Sequence, residues 1–386
     1  MLVAIATILF LLLFRLGSLV HGLSESEYTL QQQLAQQSLS GEQILRNPLF
    51  LPYYIMMYLM QFSPFHGPTA VRSIGALFGL LGALGFFYIL KKWYTGRIAF
   101  LGTALLVTSG WFLHTARFAS PVSSYLLLPL LIAGVIALQA KARAKWAMLS
   151  VIVFGLMALY IPGVIWFIVP ALIIQRKTIL TALKVQPLWF NIVTATVSAV
   201  MLLPLAAMIF WPTANTSMSH SILGLLGLPS SLPTISNVLH AVKDSLGQIF
   251  IYNNSGQLYT AGHLAWFDVS TSALFIIGMI QFAKHFGLNR SKIIAIVGSI
   301  GFLLHISGGP VPLVILLPFL FLFVVEGLKW LLDVWLAVFP RNPFARSFAV
   351  MAVVALVVCV SAYQMSRYYL AWGKAPETRA VFNKLP

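Results

Sequence analysis

The chain has 386 residues, of which 60% are hydrophobic and only 8% are charged. Several apolar runs reach the length of about 20 residues that a membrane-spanning helix needs, which excludes a water-soluble globular domain. The formal net charge is +16, but there is no RNA-binding motif and no basic patch interleaved with aromatic residues, so we expect no nucleic-acid partner. The one cysteine, Cys359, excludes an intramolecular disulfide.

The apolar runs predict an all-α fold: a polytopic membrane helical bundle of about eleven transmembrane helices, forming a single membrane-embedded domain, 1–386. The predicted spans lie at about 2–20, 70–90, 98–114, 120–138, 147–160, 163–175, 189–211, 266–283, 293–306, 310–328 and 347–365. Two long connections remain, a first outer loop at 21–69 and a large outer loop at 212–265.

Two acidic residues directly follow the first apolar run, in a chain that has only eight. They are Glu25 and Glu27, within the string Ser24-Glu25-Ser26-Glu27. In an extended segment, residues two apart face the same side, so both carboxylates would serve one site; in a helix they would diverge. The alternative interpretation is that the two glutamates only solvate a loop that leaves the membrane.

The remainder of the first outer loop predicts two juxtamembrane helices. Residues 28–45 are rich in glutamine, with leucine and isoleucine at roughly helical spacing, which indicates an amphipathic helix lying on the membrane. The 49–62 run is short for a span and is bounded by Pro48 and Pro64, so we expect a juxtamembrane or re-entrant helix there. In the large outer loop, a helix is predicted at 236–250.

Lysine and arginine concentrate in one alternating set of short loops, for example at Lys91, Lys92 and Arg97. Such loops are cytoplasmic in most multi-pass proteins of the cell membrane. We therefore expect a cytoplasmic N-terminus and an extracytoplasmic C-terminus. Because most acidic residues and histidines then lie outside, we expect any active site on the extracytoplasmic face.

No nucleotide-binding motif is visible in the sequence. The chain has no glycine-rich dinucleotide fingerprint, no P-loop, no His-Glu-x-x-His zinc motif and no Cys/His cluster. If the protein transfers a chemical group, we expect the donor to come from the lipid phase, since such a donor needs no soluble nucleotide pocket.

Several strings carry a family resemblance. Tyr28 follows the two glutamates at the end of the first span, and further strings lie at 47–50 (Asn-Pro-Leu-Phe), 70–79, 115–121 and 262–268. Together they resemble the GT-C class of glycosyltransferases, which use polyprenyl-phosphate sugars and include protein O-mannosyltransferases and lipid A aminoarabinose transferases. Family members carry an Asp-Glu motif, often with a nearby tyrosine, at the first position. Here Ser26 separates the acids, so the resemblance leaves open which one matches the family base.

The resemblance implies transfer of a sugar from a polyprenyl-phosphate donor to a lipid, glycan or protein acceptor on the extracytoplasmic face. A general base must deprotonate the acceptor hydroxyl, and positive charge must stabilise the phosphate leaving group. Glu27 is the preferred base over Glu25, because Tyr28 follows it. The predicted phosphate-binding residues are Arg117, Arg72 and Lys243, with Arg46 as a further candidate. The alternative for Arg72 and Arg117 is snorkelling at helix ends.

Weaker candidates complete the predicted site. His263, with Glu25 or Glu27, would bind a divalent metal ion or position the acceptor, although a solvated loop histidine is the simpler interpretation. Weak substrate-binding candidates are Tyr28, Asn253 and Asn254, for which packing or a turn is the alternative.

Two functions of other classes compete with the enzyme. A transporter or lipid flippase would carry ionisable residues inside its spans, whereas here the acids lie in loops. A non-catalytic assembly protein of the cell envelope would have no need for the paired glutamates. Membrane lipids are partners under every alternative.

Overall fold

The computed structural model describes residues 2–20, 22–36, 48–60, 62, 67–140, 145–211, 218–252, 263–339 and 341–384. Within these segments the regular structure is helical. The α-helices, labelled in chain order, are α1 Leu2–Leu13, α2 Glu25–Gln36, α3 Leu51–Met60, α4 Pro68–Trp93, α5 Gly96–Thr108, α6 Gly110–Arg117, α7 Leu128–Ala140, α8 Lys145–Ala158, α9 Ile165–Val185, α10 Leu188–Phe210, α11 Met218–Leu226, α12 Ile235–Phe250, α13 Val269–Lys284, α14 Asn289–Ile306, α15 Leu317–Val338, α16 Pro343–Ser366 and α17 Pro376–Val381. Short 3₁₀ helices precede α7 and α15 at Pro121–Leu127 and Leu313–Leu316, and a π-helical stretch, Arg367–Trp372, extends α16.

The helices confirm a multi-pass, all-α membrane protein. By length and composition, five described helical segments can cross a membrane, and the pair α5 and α6, bent by 63°, makes a sixth if the two count as one span. Further apolar helices of 10–17 residues are shorter than a full span. The predicted number of eleven spans is therefore not confirmed.

The first predicted span is shorter than its hydropathy indicates. We predicted one helix at 2–20, but α1 ends at Leu13 and turns follow, with Arg15 at a left-handed φ of 54°. Phe14, one residue beyond the end of α1, still donates its N–H to the carbonyl of Phe10. Residues 14–20 remain close to the bundle, with Leu16 and Val20 buried.

The described residues of segment 21–69 form two helices, as predicted, with different bounds. The predicted 28–45 helix begins earlier, at Glu25, and α2 is described to Gln36; 37–47 lies outside the described residues. Helix α3 has ten residues, a length of about 15 Å, too short to cross the hydrocarbon core. In the large outer loop, α12 at Ile235–Phe250 matches the predicted helix.

Two helices in the core approach each other at glycines. A Cβ built on Gly278 of α13 would lie 1.7 Å from the carbonyl oxygen of Phe323 in α15. A Cβ on Gly327 of α15 would lie 2.0 Å from the carbonyl oxygen of Leu274. Small residues allow such backbone contact between membrane helices, where packing rather than water exclusion holds helices together. The residues that directly precede α13, Trp266 and Phe267, pack on Trp111 of α6.

Candidate active site

Helix α2 begins at the acidic string because Ser24 caps it. The Ser24 hydroxyl accepts from the N–H of Glu27 at 3.2 Å, and the N–H of Ser24 donates to Glu27 Oε2 at 3.1 Å. This reciprocal pair is a capping box, and it satisfies donors that a helix start leaves open. The segment is therefore helical rather than extended, and the two carboxylates diverge: Glu27 is buried, while the Glu25 side chain is 73% exposed.

The Glu27 carboxylate is fully enclosed and accepts four hydrogen bonds. Arg72 donates through Nε to Oε1 and through Nη2 to Oε2, both at 2.9 Å. The backbone N–H groups of Ser24 and Ala119 each donate at 3.1 Å. Glu27 thus joins the start of α2 to α4 and to the turn after α6. A two-point arginine–carboxylate pair of this kind fixes geometry strongly.

Arg72 uses its remaining donors on the chain that connects α1 to α2. Its guanidinium donates to the carbonyls of Gly22 at 2.8 Å and Val20 at 3.1 Å. The Phe382 ring, from the C-terminal segment, lies 5.5 Å from the guanidinium carbon. Arg72 is only 4% exposed. Its positive charge is therefore matched by Glu27 and these carbonyls.

Arg117, at the end of α6, is also buried and engaged. It donates to the carbonyls of Leu11 at 2.8 Å and Phe14 at 2.7 Å, and to the hydroxyl of Tyr369. Its Nε is buried and has no hydrogen-bond partner among the described residues. A cavity of about 10 Å³ lies between Arg72 and Arg117. That volume suffices for about one water molecule, so a phosphate would need these side chains to rearrange.

Among the described residues Glu25 has one ionic partner, Lys384. The sequence gave no means to predict this pair. Lys384 Nζ lies 3.0 Å from Glu25 Oε2. The Lys384 backbone pairs with Leu23 in both directions, at 2.9 and 3.2 Å. The C-terminal segment therefore lies across the start of α2, and it places an exposed ammonium group beside the exposed carboxylate.

The remaining predicted residues make no described contact with the two carboxylates. Lys243 is exposed on α12, and the ion pairs that the described segments give Glu25 and Glu27 are with Lys384 and Arg72. His263 has a positive φ of 59° and stacks on Tyr252 at 4.9 Å. The Tyr28 hydroxyl accepts from Gln32 at 2.9 Å, within α2. Asn253, Asn254 and Arg46 lie outside the described residues.

No metal-binding cluster is evident where the side chains are described: no three His, Cys, Asp or Glu residues come together there. A further acidic residue, Asp268, caps α13. Its Oδ1 accepts from the N–H of Thr271 at 2.9 Å, and its Oδ2 accepts from Gln364 at 2.7 Å.

A cavity of about 190 Å³ adjoins the Glu27 cluster. Phe118 and Ser120, which flank the Ala119 amide that binds Glu27, form one wall. Trp111 and Trp266 stack at 5.6 Å on another wall, and Gln248 contributes a polar group. Aromatic walls with a few polar groups are typical of small-molecule sites. The sequence did not predict this cavity, because its walls come from helices distant along the chain.

No protein-family model matches the sequence, and no curated protein sequence matches it. Solved structures do match. ArnT from Cupriavidus metallidurans bound to undecaprenyl phosphate superimposes with a TM-score of 0.57 at 13% identity, over 98% of this chain and 76% of that one. The chain has the ArnT fold.

The same enzyme in its apo state gives a TM-score of 0.51 at 14% identity, over 93% of this chain and 72% of ArnT. ArnT is a lipid A aminoarabinose transferase and a GT-C glycosyltransferase. The resemblance seen in the sequence therefore agrees with the structural neighbours, and at this level of identity the shared property is the fold.

Proposed function

We propose that the protein is an integral-membrane glycosyltransferase that moves a sugar from a polyprenyl-phosphate donor to an acceptor hydroxyl on the extracytoplasmic face. The observation that carries this proposal is an exposed carboxylate, Glu25, at the first helix start after α1 in an ArnT fold. The structural neighbour bound to undecaprenyl phosphate supports a lipid phosphate as the donor's carrier.

The reaction needs one proton transfer and one displacement. The base takes the proton from the acceptor hydroxyl, whose oxygen then bonds to the anomeric carbon of the sugar. The bond from that carbon to the phosphate oxygen breaks, and the polyprenyl phosphate leaves with the electron pair. A carboxylate supplies the base and nearby cations stabilise the leaving phosphate.

We propose Glu25 as the base, with Glu27 as a positioning residue. The sequence favoured Glu27, and its role as base remains an untested prediction. The contacts favour Glu25, because Glu27 is buried and both of its oxygens already accept two hydrogen bonds. To act as a base it would have to release a bidentate arginine. Glu25 has only an exposed ion pair to exchange.

The proposed side of the reaction follows from charge. Arg72, which binds Glu27, lies near the N-terminal end of α4, whereas Lys91 and Lys92 lie at its other end, about 30 Å from Arg72 along the helix. The lysine-rich end is the one expected in the cytoplasm. The acidic centre would then face the extracytoplasmic side, where a donor flipped across the membrane presents its sugar.

The test is transfer of radiolabelled sugars in membranes that contain the protein. The donors are a panel of undecaprenyl-phosphate sugars, and a matching panel of nucleotide sugars serves as the control. We expect label to pass from at least one lipid donor to a membrane or protein acceptor, and Glu25→Gln to abolish that transfer. Transfer directly from a nucleotide sugar would overturn the proposal. So would movement of intact lipid donor between the leaflets of proteoliposomes without loss of its sugar, which indicates a flippase.

A further inference from the structure

We propose that Lys384 binds the donor phosphate, so that the C-terminal segment supplies the positive charge of the active site. The inference deepens the proposed function and rests on it. Its basis is the placement of one exposed lysine 3.0 Å from the exposed carboxylate Glu25.

Backbone pairing fixes the position of Lys384. The N–H of Leu23 donates to the carbonyl of Lys384 at 2.9 Å, and the N–H of Lys384 donates to the carbonyl of Leu23 at 3.2 Å. Leu23 precedes α2 by two residues and is fully buried. The Lys384 main chain is therefore held against the site by two hydrogen bonds, while its side chain remains 44% exposed.

The preceding residues anchor the segment. A Cβ at Gly22 would lie 2.2 Å from the carbonyl oxygen of Phe382, so the two backbones touch. The Phe382 ring is 4% exposed and packs on Phe118 and Trp372, with centroids 6.2 and 5.7 Å away. Thr378 is fully buried. Thr378 and Phe382 thus anchor this segment to the protein.

The predicted phosphate-binding arginines are engaged elsewhere. Arg72 donates to Glu27 and to backbone carbonyls, and Arg117 donates to two carbonyls of the α1 end. Lys384 is exposed and contacts one carboxylate. Its ammonium group has three donors, so at least two remain for phosphate oxygens while one stays on Glu25.

The Lys384–Glu25 ion pair also suits the proposed reaction. An exposed ion pair is worth little, because water screens it, so Lys384 can turn part of its ammonium group from Glu25 toward a phosphate at low cost. When the bond from sugar to phosphate breaks, the charge on the leaving phosphate develops beside the same ammonium group.

The experiment measures binding and transfer separately. Purified Lys384→Met, Lys384→Arg and Lys374→Met variants are titrated with undecaprenyl phosphate in detergent, following intrinsic tryptophan fluorescence, and their KM and kcat for a lipid donor are then compared. Lys374 is the matched control, since it is an exposed lysine in the same C-terminal region without a contact to Glu25. We expect Lys384→Met to weaken binding and raise KM by about 10- to 100-fold, the range of a hydrogen bond to a charged group. Lys384→Arg should recover most of this loss, and Lys374→Met should behave as wild type.

Three results separate the possibilities. Unchanged undecaprenyl phosphate binding in Lys384→Met would overturn the role of Lys384, even if wild type transfers sugar. Faster transfer by Lys384→Met would overturn it as well, because the lysine would then be a blocking group on Glu25. If wild type transfers no sugar but Lys384→Met still loses binding, the lysine's role stands and only the proposed reaction fails. Thermal unfolding of each variant, with Lys384→Gln as a second neutral variant, identifies any loss that comes from misfolding.

Discussion

Replacing each glutamate of the acidic string with glutamine should give opposite phenotypes. Glu27→Gln removes one charge from a buried pair and converts one acceptor oxygen into a donor amide. Arg72 would keep at most one of its two bonds to this side chain and would stay buried at 4% exposure. Leaving a buried charge uncompensated costs about 3–5 kcal/mol.

That loss should be visible in the unfolding temperature. At about 2–4 °C per kcal/mol for larger domains, we expect Glu27→Gln to unfold about 6–20 °C below wild type. Glu25→Gln breaks only an exposed ion pair with Lys384, worth less than about 1 kcal/mol, so its unfolding temperature should stay near wild type. Its transfer rate should nevertheless fall by about 10²–10⁴, the contribution of a general base.

The assay pairs thermal unfolding of the purified variants with sugar transfer at equal amounts of folded protein. A double variant, Glu27→Leu with Arg72→Met, provides a further check. Removing both charges should cost less than the sum of the single substitutions, because no buried charge is left unpaired. The reasoning is refuted if Glu27→Gln unfolds like wild type but cannot transfer, while Glu25→Gln transfers normally. Glu27 would then be the base, as the sequence alone suggested.

Two more substitutions test the packing and the buried arginine. Gly278→Ala should destabilise the protein by about 1–3 kcal/mol, because the facing backbone leaves no room for a Cβ. Gly298 has open space around it, so the control Gly298→Ala should unfold at or above the wild-type temperature. Equal unfolding temperatures for both variants would show that α13 and α15 do not touch at Gly278. Arg117→Met should lower the unfolding temperature by the equivalent of about 1–3 kcal/mol, since the Phe14 carbonyl loses its donor, whereas the Leu11 carbonyl keeps the Tyr369 hydroxyl. Its affinity for undecaprenyl phosphate should change little, and a tenfold loss of affinity at unchanged stability would make Arg117 a phosphate-binding residue after all.

Hydropathy located most helices but not their breaks. The predicted span at 98–114 is present as α5 and α6, yet it bends by 63° between them. Ser109 caps α6 there: its hydroxyl accepts from the N–H of Phe112 at 3.3 Å. A single capping serine hardly changes the mean hydropathy of an apolar run, so a window average does not detect it. The end of α1 at Leu13 was missed for the same reason, since apolar residues continue beyond it.

The acidic string was singled out as a candidate site, while its conformation was left open. Ser24 followed three residues later by Glu27 is a capping-box pattern, so the helix start was predictable from the residues. The Arg72 pairing was less accessible, because it joins parts of the chain whose spatial relation depends on the whole bundle. Lys384 could not have been found from local patterns, since nothing near it in the sequence distinguishes it from the other lysines.

The pairing of Leu23 with Lys384 has a consequence for biosynthesis. Leu23 is synthesised early, directly after α1. Lys384 is synthesised only after the helices α2 to α17. Contacts between residues far apart in the sequence form late, because the chain between them must be ordered first. Glu25 is thus without Lys384 until the chain around position 384 has been made. A growing chain that carries α1 and α2 alone would present the Glu25 carboxylate without its ammonium partner.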